Sequence, residues 1–351
     1  METKVIRITD VVTERDAIRE AAAILRAGEL VAFPTETVYG LGANGLDRTA
    51  CAGIYAAKGR PSDNPLILHA ADRGMVDMAA REVPPLAEKL LAAFAPGPIT
   101  LILSKRMEVP DSVTGGLDTV GVRLPENDIA RALIRAAGVP VAAPSANLSG
   151  RPSPTNAAAV AADMAGRIPL ILDGGSCRFG VESTIVDCTG DAAVILRPGA
   201  VTPEMLREVV DEVRIDPALV GEAAIPRAPG MKYTHYAPRV PLALIDAPAE
   251  RRVAAFRGEV ARRQAAGETV GLIVSEEVAA ALEDIIPLEL RGIYGRAGDL
   301  AAMAAHLYDT LRSFDRKPAT VLLGEAVTPE GLGMAIMNRL EKASGGRKIQ
   351  G

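Results

Sequence analysis

Cysteine, histidine and aromatic residues are all scarce in this chain of 351 residues. Its three cysteines (Cys51, Cys177, Cys188) have no C-x-x-C spacing. That argues against a disulfide framework or a structural zinc site, and it fits a reducing compartment. The three histidines (His69, His235, His306) are scattered, so the sequence offers no metal-ligand cluster. Tryptophan is absent and aromatics make up 3%, yet 48% of residues are hydrophobic, enough for one large core or two ordinary ones. No apolar run approaches the roughly 18 residues of a membrane span, and Met1–Arg7 lacks a signal-peptide core. A soluble, cytoplasmic protein is expected. G-x-S-x-G, H-E-x-x-H and Walker A patterns are also missing, so no nucleophile stands out.

The net charge is −5 and uneven. Residues 1–213 carry 21 Lys and Arg against 27 Asp and Glu, whereas residues 214–351 carry 18 against 17. This is not the basic footprint of a duplex-binding protein, and stable direct binding to duplex nucleic acid is not expected. Any cationic site must be a local pocket.

What is present is an alternation of short apolar runs and alanine-rich helical patterns. Strands are expected at Leu30–Phe33, Pro65–His69, Ile99–Ser104, Thr119–Leu124, Val139–Ala143, Leu170–Asp173, Thr184–Asp187 and Ala193–Arg197. Helices are expected at Glu14–Ala27, Arg48–Lys58, Asp128–Ala137 and Pro203–Glu212. Asp47, Asn127 and Thr202 serve as N-caps, and Gly28, Gly59 and Gly138 as stops. Consecutive strands favour a twisted mixed sheet in an α/β domain over 1–213. Residues 214–239 show neither period and read as a linker whose Met231, Lys232, Tyr233, His235 and Tyr236 suit an ordered strap over a site. Residues 240–351 return to strand–helix alternation, the pattern of a small Rossmann-like parallel α/β domain. Its expected elements are strands Leu242–Ile245, Thr269–Val274 and Ala319–Leu323, with helices at Ala249–Ala266, Glu276–Leu282, Asp299–Phe314 and Pro329–Ala343.

Five polar clusters fall at the expected strand ends. The first is Phe33-Pro-Thr-Glu-Thr-Val-Tyr-Gly-Leu-Gly42, where Thr35, Glu36, Thr37 and Tyr39 either line a ligand site or cap a proline-initiated turn. In the second, Lys58, Arg60, Asn64 and His69 occupy a proline-stiffened loop and the strand after it. Its cations suit phosphate oxygens, although Lys58 alone is explained by its helix end and His69 alone by core packing. Arg123, within Thr119-Val-Gly-Val-Arg-Leu-Pro, lies either on a solvated face or in a buried carboxylate receptor. Ala143-Pro-Ser145-Ala-Asn147-Leu-Ser149-Gly, with Ser153 following, is an anion cradle or an ordinary small-residue loop. Glu182-Ser183-Thr184 and Arg197-Pro-Gly form the fifth. Phosphate chemistry without a P-loop points to catalysis by positioning and charge neutralisation, with Mg²⁺ bridging phosphates.

In this order the motifs resemble the L-threonylcarbamoyladenylate synthase family, the YrdC-type enzymes, in their long two-domain form. The resemblance rests on Phe33–Gly42, Lys58-Gly-Arg-Pro-x-x-Asn-Pro-Leu, Gly121-Val-Arg-Leu-Pro, Ala143-Pro-Ser-Ala-Asn and Glu182-Ser-Thr-Ile. Pro229–Pro238 and Met337-Asn-Arg-Leu extend it to the C-terminal half, and Thr234 departs from the basic residue common there. It implies that L-threonine, bicarbonate and ATP give threonylcarbamoyl-AMP and pyrophosphate, for N6-threonylcarbamoyladenosine formation in tRNA by a downstream transferase. Thr35, His69, Arg123, Ala143 and Ser183 would hold threonine, with Arg123 on its carboxylate. Lys58, Arg60, Asn64, Thr119, Ser145, Ser153 and Arg197 would hold ATP with its Mg²⁺, and Tyr233 would close over the nucleotide. Lys58, Arg60 and Arg123 would be the catalytic cations; the metal ligands are unassigned. Two rivals stand beside it: a carbamoyl-transfer or adenylation enzyme on the same fold, and a non-catalytic RNA-binding module.

Overall fold

The computed structural model describes residues 1–219 and 235–351. The chain divides into two compact units, Met1–Ser149 with Ser153–Lys232, and Gly150–Pro152 with Tyr233–Gly351.

The first unit is built on eleven strands: β1 (Lys4–Arg7), β2 (Val31–Phe33), β3 (Gly40–Asn44), β4 (Ile67–His69), β5 (Ile99–Ser104), β6 (Thr119–Arg123), β7 (Val141–Ala142), β8 (Leu170–Asp173), β9 (Thr184–Asp187), β10 (Ala193–Arg197) and β11 (Val213–Ile215). They form one sheet in the order β1-β8-β2-β3-β7-β4-β6-β5-β9-β10-β11. The pairing is mixed: β4 runs parallel to β6 and β5 to β9, while β2–β3, β3–β7, β4–β7 and β5–β6 are antiparallel. The central strands are buried on both faces, so their sequences are continuously apolar rather than alternating.

Local signals set the flanking helices. Helix Arg48–Lys58 begins where the Asp47 carboxylate accepts from the amides of Thr49 and Ala50, and ends at Gly59 in the left-handed region. Helix Asp128–Ala137 is capped by Asn127 and stopped by Gly138, again left-handed. These two match the sequence expectation residue for residue. Helix Pro203–Arg207 is shorter than expected; its N-cap is Thr202, but the chain leaves the helix at Glu208. Arg214 and Ile215, read from sequence as the start of a linker, instead belong to β11, which extends the sheet parallel to β10.

The second unit contains β12 (Leu242–Asp246), β13 (Val270–Val274), β14 (Arg291–Ile293), β15 (Val321–Glu325) and β16 (Lys348–Gln350). Their order is β14-β13-β15-β12-β16, and every pairing is parallel. Helices Ala249–Ala265, Glu276–Ala281, Leu300–Ser313 and Leu332–Ser344 lie between the strands in sequence. Both expectations of architecture therefore hold: a twisted mixed sheet, then a small parallel α/β unit.

Candidate active site

Strands β4 and β6 bring the central charged group together. His69 and Arg123 are register partners at the C-terminal ends of these parallel neighbours. Both are buried, so Arg123 does not lie on a solvated face. Its Nη2 donates to Glu36 Oε1 at 2.6 Å, and both side chains are 5% exposed. The Arg123 Nε is buried without a hydrogen-bond partner.

Glu36 comes from the turn after β2. Thr35 shapes that turn: its hydroxyl accepts from the amides of Thr37 and Val38 at 3.1 and 3.2 Å and lies 2.7 Å from the Val38 carbonyl, to which it donates. The turn-capping reading of the threonines is thus correct, and it coexists with their burial beside the charged pair. The other Glu36 oxygen accepts from the Glu126 amide at 3.2 Å, and the Glu36 carbonyl accepts from the Phe179 amide. Tyr39 belongs to the scaffold: it is wholly buried, and its hydroxyl donates to the Gly175 carbonyl at 2.7 Å.

His69 packs edge-on against Phe33, and its Nδ1 is 3.3 Å from the Ile67 carbonyl. Burial is the main reason its pKa falls from 6.5 to about 3, and the positive charge of Arg123 adds to it. The imidazole is therefore neutral at physiological pH. Backbone hydrogen bonds to Ile67 and Val141 oppose the shift without reversing it.

The loop carrying the other cations is held from two sides. Lys58 is 2% exposed and its Nζ donates to the carbonyls of Ser145 and Asn147 at 2.5 and 2.6 Å. Arg60 donates to the carbonyls of Asn64 and Pro65, and Tyr55 fastens Asn64 and Ser112 through its hydroxyl. Ser145 donates to Asn147 Oδ1 at 2.5 Å, while the Asp163 carboxylate accepts from the Leu148 amide. Helix capping does not account for Lys58, because its ammonium reaches across to the loop after β7.

A third network joins β9 and β10. Arg197 donates to the Ser183 carbonyl and hydroxyl at 3.0–3.1 Å, and Ser183 shares a 2.7 Å hydrogen bond with Thr100. Ser153 donates to Glu182 at 2.6 Å. The neighbouring Gly199 is required by space, since a Cβ there would lie 2.3 Å from the Thr184 nitrogen and 2.6 Å from the Glu182 carbonyl.

Of the sequence candidates, Arg123 and His69 pair across strands, Lys58 joins Ser145, Arg60 joins Asn64, and Arg197 joins Ser183. Ala143 is buried after β7, its amide bonded to the Ile67 carbonyl beside β4. Thr119 stands at the far end of β6 from Arg123. Tyr233 lies outside the described residues. Sequence reading placed Glu36 and Glu182 in its polar clusters without giving either a role, and left out Thr100 and Asp163. Glu36 carried a signal, being a carboxylate inside the first motif; Thr100 and Asp163 carried none. Among the described residues no group of three His, Cys, Asp or Glu is placed to hold a metal, and no helix is long and apolar enough to cross a membrane.

Strand-end cations, a buried guanidinium–carboxylate pair and hydroxyl-lined loops on a mixed α/β sheet are the features of a small-molecule site suited to anionic groups. The model for the Sua5/YciO/YrdC family, described as "Telomere recombination", matches residues 23–199, and that for the threonylcarbamoyl-AMP synthase C-terminal domain matches 201–345. The chain belongs to the threonylcarbamoyl-AMP synthase family. The threonylcarbamoyl-AMP synthase of Bacillus subtilis is 46% identical over the full length of both chains, and that of Pyrococcus abyssi 47% identical over 95% of each. The solved structure of P. abyssi Sua5 complexed with L-threonine superposes with a TM-score of 0.93 at 44% identity, covering 99% of this chain and 100% of that one.

Proposed function

We propose that this chain is a nucleotidyltransferase that makes L-threonylcarbamoyl-AMP from L-threonine, bicarbonate and ATP, releasing pyrophosphate. The observation carrying this reading is buried Arg123 with its unpartnered Nε, set at a strand end opposite neutral His69. Such a group receives a carboxylate in a water-poor pocket. The family membership and the threonine-bound relative support threonine as the amino acid.

In this reading Arg123 pairs with the threonine carboxylate, and Thr35, His69, Ala143 and Ser183 surround the rest of the molecule. The imidazole of His69 stays uncharged beside the substrate. Lys58, Arg60, Asn64, Thr119, Ser145, Ser153 and Arg197 take the nucleotide. The threonine amine and bicarbonate form a carbamate with loss of water; a carbamate oxygen then attacks the α-phosphorus, and pyrophosphate leaves. Lys58 and Arg60 neutralise charge developing on the phosphates, so the protein acts by positioning and electrostatics. Mg²⁺ is the proposed cofactor, but the carboxylates here do not make a protein cage: Glu36 is engaged by Arg123 and Glu182 by Ser153. The ion would arrive on the ATP phosphates. The product would pass to the enzyme that transfers the threonylcarbamoyl group to tRNA. Pyrophosphate release measured with threonine and bicarbonate omitted in turn tests the reading. Release requiring both supports it, and release without either contradicts it.

A further inference from the structure

The Glu36–Arg123 pair is more than a carboxylate receptor needs. An arginine alone, buried at the end of β6, would attract the substrate carboxylate more strongly than one already neutralised at 2.6 Å. The pair is also costly, because two charges at 5% exposure are desolvated and one guanidinium nitrogen is left unpartnered. What it adds is polarity of both signs within one hydrogen bond's reach. The substrate class proposed above is an amino acid, a zwitterion with the same two charges one carbon apart. The Glu36 backbone is held through its carbonyl by the Phe179 amide and its second carboxylate oxygen by the Glu126 amide, so the oxygen facing Arg123 is the one that would change partner. The other groups around Arg123 do not supply the negative end: His69 is neutral, and the Thr35 hydroxyl is occupied by its own turn.

We propose that Glu36 is a substrate-binding residue that takes the ammonium group of the amino acid as Arg123 takes its carboxylate, the internal ion pair opening into two intermolecular ones. The proposal rests on the reading of this pocket as an amino-acid site. Glu36 then selects for the α-ammonium group, a role separate from holding Arg123 in place.

Calorimetric titration of the full chain with two ligands separates these roles. One is L-threonine; the other is 2,3-dihydroxybutanoate, in which a hydroxyl replaces the ammonium. Glu36→Gln keeps the shape and a hydrogen bond to Arg123 while removing the charge. It is expected to weaken threonine binding about 10- to 100-fold, and dihydroxybutanoate binding by less than about threefold. Equal weakening of both ligands, or unchanged threonine affinity, overturns the proposal. If Glu36→Gln does not fold, the wild-type chain carries the test: it is expected to bind threonine at least about 10-fold more tightly than dihydroxybutanoate, and equal affinities overturn the proposal. Failure of the wild-type chain to bind threonine would overturn the amino-acid reading itself, and this proposal with it.

Discussion

His69 and Arg123 lie directly opposite one another across the parallel β4–β6 pair, and the guanidinium helps keep the imidazole uncharged. A histidine whose pKa falls from 6.5 unfolded to about 3 folded favours folding fully above its unfolded value. As pH falls below 6.5, the unfolded chain takes up the proton first and the folded state loses that advantage. Between about pH 7.5 and about pH 5 this one group removes roughly 2 kcal/mol. Urea unfolding at both pH values is expected to show a smaller acid loss for His69→Gln than for the wild-type chain, by about that difference. Equal losses would mean that His69 is protonated in the folded protein.

The buried pair should also behave asymmetrically under mutation. Arg123→Leu strands the Glu36 carboxylate and is expected to cost about 3–5 kcal/mol. The double variant Glu36→Leu/Arg123→Leu removes both charges and should recover much of that loss, although threonine binding stays absent. Denaturant titration of the three chains checks this. A double variant less stable than the single one would show that the pair is not coupled as its geometry indicates.

Lys58 connects two loops through the Ser145 and Asn147 carbonyls. Lys58→Met keeps the stem and loses both charge-assisted hydrogen bonds. The expected cost is about 2–4 kcal/mol in stability, together with loss of ATP-dependent pyrophosphate release. Lys58→Arg should not restore activity, because a planar fork cannot reproduce a point ammonium in a buried slot. A fully active Lys58→Arg enzyme would contradict this role.

Gly199 is defined by backbone rather than by side-chain neighbours. Gly199→Ala must displace Glu182–Thr184, and with them the Ser183–Arg197 contact. A destabilisation of about 1–3 kcal/mol and weakened substrate binding are expected. Gly190→Ala, where a Cβ meets nothing within 4 Å, should stay within about 0.5 kcal/mol of wild type by thermal melting.

Much of this arrangement was legible in the sequence, for identifiable reasons. Asp47, Gly59, Asn127 and Gly138 act through contacts within a few residues, so two helices were read to the residue. The polar clusters stood out because they end apolar runs. β3 was hidden because Gly40–Asn44 is mostly glycine and alanine, and its strand identity comes from pairing with β2 and β7. β11 is a short half-exposed strand, and only its pairing with β10 distinguishes it from linker. Above all, Glu36 and Arg123 are 87 residues apart, and no local pattern couples them. Their contact exists only once the sheet has placed the β2–β3 turn beside the end of β6.

Mass spectrometry of the product formed from L-threonine, bicarbonate and Mg-ATP tests the central claim most directly. The account predicts a species with the mass of threonylcarbamoyl-AMP, carrying label from ¹³C-bicarbonate and from ¹⁵N-threonine together. An adenylate lacking the bicarbonate carbon, or no adenylate of threonine at all, would contradict it.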